Sequence, residues 1–188
     1  QLALMVVAGA LMLVSLRALL PVGTFGLLSR RRSAFAVLLV LCGAYFGTDA
    51  VLTPIAHDVF AMTPTQLNIL LTAGGLGWAI TGLACGARPA ATPGAYVRRA
   101  ATGTVLLFGG IGWLAVLDGG RATTPWLMTI AWTISGVGMG LVYVDTLNVI
   151  FTPPPAGDGL DDLSVSAGVV IAESVAAVRG LNATAKAA

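Results

Sequence analysis

Five apolar runs, each near twenty residues long, restrict this chain more than any other feature: Leu2 to Leu20, Ala34 to Ala56, Gln66 to Ala87, Ala100 to Leu117 and Trp126 to Phe151. A helix rising about 1.5 Å per residue needs roughly twenty such residues to cross a hydrocarbon layer about 30 Å thick. The runs are long and do not alternate apolar and polar with period two, so helices are expected and a barrel is not. A sixth run, Leu163 to Val178, is shorter and reaches full length only by continuing through Arg179 toward Ala185. The expectation is an all-α, polytopic membrane bundle of about six transmembrane helices. It forms a single domain over 1–188, with spans near 2–20, 34–56, 66–87, 100–117, 126–151 and 163–185.

Charge supports this. Only 10% of the residues are charged, against roughly 25% in soluble domains. A soluble fold built from this sequence would expose large apolar patches and aggregate. The segments between runs are built to break helices. "PVGTFGLLSRRRS" opens on Pro21 and Gly23, "ARPAATPGAYVRR" holds Pro89, Pro93 and Gly94, and Pro153 to Pro155 end the fifth run.

Arginine sets the orientation. The connections after the first and third runs carry Arg30, Arg31, Arg32, Arg88, Arg98 and Arg99, whereas those on the opposite side hold Arg121 alone. The excess places the stretches 21–33 and 88–99 in the cytoplasm of a multi-pass protein of the cell's inner (plasma) membrane. Asp158, Asp161 and Asp162 follow the fifth run and count little in that rule. The chain begins inside an apolar run with neither an initiator Met nor a basic start. It is therefore read as entering at a membrane helix of a longer protein rather than at a signal peptide.

Catalytic chemistry finds little here. Cys42 and Cys85 both fall in apolar runs without a CxxC pair, and the one histidine, His57, stands beside Asp58. No metal-ligand cluster, nucleophile–base set or phosphate-binding glycine loop can be assembled, so an enzyme is not expected and no cofactor or metal is implied. A net charge of +2 gives no reason to expect a nucleic-acid partner.

Gly43/Gly47, Gly82/Gly86 and Gly136/Gly140 repeat at the GxxxG spacing that lets membrane helices approach closely. Close packing is their plain reading; smooth faces that slide during a conformational cycle are the sharper one.

Three carboxyl groups fall within the expected spans: Asp49, Asp145 and Glu173. Each ionised acid at a helix centre costs roughly 2.5–3.5 kcal/mol on insertion scales. Such groups persist if they face a protein interior or water, pair with a cation, or keep a proton. A carboxyl group in low dielectric holds its proton more tightly, and one whose exposure alternates can load and release it. Asp49 is read as the principal proton-coupling or cation-binding group, with Glu173 and Asp145 secondary. Pairing is the rival reading, and Arg17, near the end of the first run, is a candidate partner that could also reach the interface. Tyr45, one turn before Asp49, and Asn148, three residues after Asp145, are possible cavity-lining groups.

These residues carry a family resemblance. "GAYFGTDAVLTPIAHDVFAMTPTQLNILLTAGGLGWAITGLACG", an arginine-bearing connection and "SGVGMGLVYVDTLNVIF" together resemble the second half of a major facilitator superfamily transporter of bacterial multidrug-efflux type. In that family the seventh of twelve helices often carries "GAxFGxEA" followed by Pro. The eighth follows an "LSPxQxG"-like connection, here "MTPTQLN", and the tenth holds a "GxGxG" run, here "SGVGMG". The resemblance implies helices six to eleven, half of a major facilitator fold, and alternating access at a central cavity. It also implies proton-coupled export or uptake of a small molecule, with Asp49 on the position of the helix-seven acid. The "GxLaDrxGrR" motif is absent from the eight-to-nine connection. The implied partners are membrane lipid, a small-molecule substrate, protons, and a missing N-terminal half or second subunit. A non-transporting membrane scaffold or subunit, or an inactive truncated transporter remnant, is the alternative.

Overall fold

The computed structural model describes residues 30–117, 124–152, 165–171, 173 and 174. Four long helices account for most of them: α1 (Arg30–Asp58), α2 (Pro64–Ala87), α3 (Pro93–Ala115) and α4 (Thr124–Phe151). A short helical segment covers 165–171 and resumes at 173–174, and no strand occurs among the described residues. The protein is all-helical in these parts. Three helices are long and apolar enough to cross a membrane: Ser33–Asp58 within α1, α2 and α4. The α3 helix has 23 residues, but Arg98 and Arg99 occupy its early turns and lower its apolar character. The run 2–20 lies outside the described residues and 163–185 only partly inside, so the described helices do not amount to six spans.

Local chemistry fixes two helix starts. Thr63 caps α2: its hydroxyl accepts from the Gln66 amide at 3.3 Å while Gln66 Oε1 accepts from the Thr63 amide at 2.9 Å. The "MTPTQLN" stretch is thus a reciprocal capping box followed by Pro64, which has no N–H to leave unpaired. Thr92 caps α3 in the same way, accepting from the Ala95 amide at 3.2 Å ahead of Pro93.

The helix starts differ from those the apolar pattern had placed. Arg30 to Ser33, expected in a connecting loop, form the first turn of α1, and Arg98 and Arg99 lie in the early turns of α3 rather than in the 88–99 loop. The apolar run marks only the part that must be dry; a helix extends past it as long as its polar ends can reach water or headgroups. Arg31 illustrates the point. It is buried at 4% exposure and donates Nε to the Ile150 carbonyl at 2.5 Å, tying the start of α1 to the end of α4.

The central element is α4. It packs on α2, α3 and α1, whereas α2 and α3 make no helix–helix contact with each other among the described residues. Partner residues give the directions: α4 runs antiparallel to α1 (Arg31 beside Ile150, Tyr45 on Trp132) and to α3 (Arg99 beside Asp145). It runs parallel to α2, with Gly140 against Trp78 and Gly82. That is the alternation consecutive spans require. Apolar side chains such as Val40, Ile80, Leu83 and Val105 face outward, at 58–76% exposure, which suits a lipid surround.

Glycine decides how close the helices come. A Cβ on Gly140 would lie 2.6 Å from the Trp78 carbonyl oxygen and 2.9 Å from the Gly82 amide; one on Gly136 would meet the Gly74 carbonyl. The opposite flank of α4 has its own seam, where a Cβ on Gly138 would stand 2.6 Å from the Gly103 carbonyl oxygen. Gly82 and Gly86 face Val144 at 3.5 and 3.9 Å, ordinary contact distances. Gly43 and Gly47, expected to pack, have no described residue within 4 Å of where a Cβ would stand. Spacing alone identifies a smooth face; only a neighbour makes it a seam.

Candidate functional site around Asp49

Asp49 lies on the face of α1 that the bundle buries. Tyr45, Cys42 and Leu38 precede it by four, seven and eleven residues, and Leu52 and Ala56 follow by three and seven. All five are buried, and this is the helical spacing of a single stripe. Val37, Val40 and Ile55, which point away from that stripe, are 42–58% exposed. The carboxyl group is therefore turned toward the protein interior and not toward lipid. Yet Asp49 itself remains half-open. Asp49 makes no hydrogen bond or ion pair with another described residue.

One turn deeper, the stripe enters an aromatic cluster. Tyr45 stacks on Trp132 of α4, with centroids 4.6 Å apart and planes within 15°. Trp78 of α2 meets Tyr45 edge-on at 5.3 Å, Phe46 at 5.7 Å and Tyr143 at 5.5 Å. Edge-to-face and offset contacts at these separations contribute about 0.5–1.5 kcal/mol each beyond area burial. Five rings from three helices thus hold α1, α2 and α4 together where α1 otherwise touches α2 only marginally.

Glu173 meets the cluster at Tyr143. It shares a helix face with Val165 and Val169, eight and four residues earlier, both buried in the core. Its carboxylate accepts a hydrogen bond from the Tyr143 hydroxyl. Asp49 and Glu173 therefore adjoin one aromatic assembly, Asp49 through Tyr45 on α1 and Glu173 through Tyr143 on α4.

Asp145 is placed differently. It is 2% exposed and paired with Arg99 of α3, whose Nη1 stands 3.1 Å from its Oδ2. Arg99 also donates Nη2 to the Arg88 carbonyl at 3.0 Å. The acid thus fastens α3 to α4 and to the end of α2. Asn148 is exposed, so the polar stripe expected from the spacing of Asp145 and Asn148 divides: one member turns to Arg99, the other outward. Tyr45 is packed at 4% exposure instead of lining open space. Arg17 lies outside the described residues.

Sequence reasoning overlooked Trp78, Trp132, Phe46 and Tyr143. Each alone resembles any aromatic in an apolar run, and their convergence depends on how helices 30 to 100 residues apart come together. Gly103 and Gly138 were missed for the same reason. Among the described residues no group of three or more His, Cys, Asp or Glu side chains could hold a metal ion. Comparison with protein-family models, with curated proteins and with solved structures finds no match for this chain.

Proposed function

We propose that this chain is a membrane-embedded portion of a secondary active transporter, of the major facilitator type its motifs resemble, that couples movement of a small molecule to protons. The observation that carries the reading is Asp49: an acid without an ion-pair partner among the described residues, centred on the buried stripe of α1 and still half-open. An acid held that way can exchange a proton with water when its side of the bundle opens to one face of the membrane and again when it opens to the other. Asp49 is the coupling acid and Glu173 a second one.

The five-ring cluster suits a solute with amphipathic or cationic character, since ring faces attract cations and apolar groups alike. The smooth contacts along Gly136/Gly140 and Gly138 give α4 two faces along which neighbours can shift. Asp145, locked to Arg99, favours a structural part for that residue, and this pairing is what a scaffold reading would extend to the whole chain.

The test is flux in membrane vesicles from cells expressing the protein, driven by an imposed pH gradient, with wild type beside Asp49→Asn. The expected result is loss of pH-driven flux while counterflow of solute at equal pH persists. Unchanged pH-driven flux in Asp49→Asn would remove Asp49 from the mechanism.

A further inference from the structure

Four polar side chains follow one another at four-residue spacing along the outer half of α1: Tyr45, Asp49, Thr53 and His57. At about 1.5 Å per residue they climb roughly 18 Å, drifting about 40° round the helix at each step. The ladder begins in the aromatic cluster, where Tyr45 is buried. It ends at the α1–α2 connection, where His57 Nδ1 stands 2.7 Å from Asp58 Oδ1 and both side chains are about two-thirds exposed (65% and 66%). Exposure rises step by step from Tyr45 to the half-open Asp49 and the exposed Thr53 and His57.

Three features set the middle rungs apart. Asp49 and Thr53 belong to the inward half of α1, beside buried Cys42, Tyr45 and Ala56, yet they are half-open and exposed. Thr48, on another flank of the same helix, closes its hydroxyl onto the Ala44 carbonyl at 2.7 Å; Thr53 makes no hydrogen bond to a described residue. Pro54 interrupts α1 and has no N–H to donate to the Ala50 carbonyl four residues back. A carbonyl without its helical donor, a hydroxyl and a carboxyl group at one level need water or a protein partner in a membrane, and no described side chain hydrogen-bonds to Asp49 or Thr53.

We infer that the outer half of α1 lines a hydrated polar ladder, from His57 and Asp58 at the mouth through Thr53 and the Ala50 carbonyl to Asp49. Protons reach Asp49 along it from the non-cytoplasmic side. The inference rests on reading Asp49 as the proton carrier, and it adds the route and the side of entry. The step is a single proton transfer: water in the ladder gives up H⁺ to an Asp49 carboxylate oxygen, and the mouth restores that proton from bulk solvent. Tyr45, with Trp78 and Trp132 packed against it, seals the inner end.

Thiol labelling tests the ladder without requiring transport. In the full protein with Cys42 and Cys85 replaced by alanine, Thr53→Cys and Ile55→Cys are compared using a charged, membrane-impermeant maleimide added from the non-cytoplasmic side. Thr53→Cys is expected to react about tenfold faster or more, because only a thiol in water forms the reactive thiolate. Equal or slower reaction at Thr53→Cys, or reaction only from the cytoplasmic side, overturns the ladder whatever the flux assay gives. If Thr53→Cys does not express, amide hydrogen exchange in the unsubstituted protein reads the same region. Residues 49–53 should exchange faster than 38–42, and equal protection overturns the inference. Flux unaffected by Asp49→Asn would end the coupling role proposed above, yet leave a positive labelling result standing.

Discussion

Replacing Gly140 with alanine should loosen the seam between α2 and α4, by an amount the geometry sets. A Cβ there would lie 2.6 Å from the Trp78 carbonyl oxygen, 2.8 Å from Thr81 Cβ and 2.9 Å from the Gly82 amide. Carbon–oxygen approaches settle at roughly 3.3–3.6 Å, so α2 must retreat by about 0.8 Å at this point. Two of the three obstacles are backbone atoms, which cannot rotate aside. A gap of about that width forfeits a quarter to a half of the dispersion attraction across it, and overpacking of this kind costs about 1–3 kcal/mol. Alanine's better helix propensity returns at most about 1 kcal/mol, leaving a net loss near 1–2 kcal/mol.

Gly43→Ala is the control. It has the same spacing motif and the same substitution, but no described residue lies within 4 Å of the new methyl group, so it should be neutral or slightly stabilising. Reversible unfolding in mixed detergent micelles, followed by helix circular dichroism, measures both. Gly136→Ala/Gly140→Ala should cost less than the sum of its parts, since one retreat of α2 relieves both clashes. A Gly140→Ala protein as stable as wild type, or a Gly43→Ala protein destabilised more than Gly140→Ala, would refute the packing argument.

Breaking the Arg99–Asp145 pair by Arg99→Met should destabilise the protein by about 3 kcal/mol, because it strands the buried carboxylate of Asp145; adding Asp145→Leu should recover most of that in the same unfolding assay. Tyr143→Phe removes the hydroxyl that donates to Glu173 and should cost about 1.5–3 kcal/mol. Glu173→Ala should cost a similar amount and the double variant little more, as a double-mutant cycle would read. Thr63→Ala deletes the cap of α2 and should cost about 1 kcal/mol, with faster amide exchange confined to the first turn of α2. Trp132→Ala should remove the stacking platform under Tyr45 and cost about 3–5 kcal/mol, with near-ultraviolet circular dichroism reporting disruption of the aromatic cluster.

The expected runs and the observed helices coincide in the middle and differ at the ends. Ala34 to Ala56 became Arg30–Asp58 and Ala100 to Leu117 became Pro93–Ala115. The apolar signal could not register Arg31, whose guanidinium finds the Ile150 carbonyl, or Thr92, whose hydroxyl starts α3 ahead of two arginines. The acids divide in the same manner. That Asp49, Asp145 and Glu173 needed special surroundings was evident from their neighbours in sequence. Which surroundings each received was not: Asp145 met an arginine 46 positions away, Glu173 met a tyrosine 30 positions away, and Asp49 stayed half-open with no described partner.

What the sequence determined by itself is therefore what depends on solvent and on local chain chemistry. Apolar runs near twenty residues become helices because an unpaired backbone amide is too costly in hydrocarbon, and proline, glycine and threonine mark where those helices stop and start. Tertiary structure alone decided which faces meet. Gly43/Gly47 and Gly136/Gly140 share one spacing, yet among the described residues only the second pair is pressed against a neighbour. Asp49 and Asp145 are the same side chain in similar helices, yet one is locked to a cation and the other left half-open. Contacts between helices depend on residues far apart in the chain, and no local pattern encodes the identity of the partner.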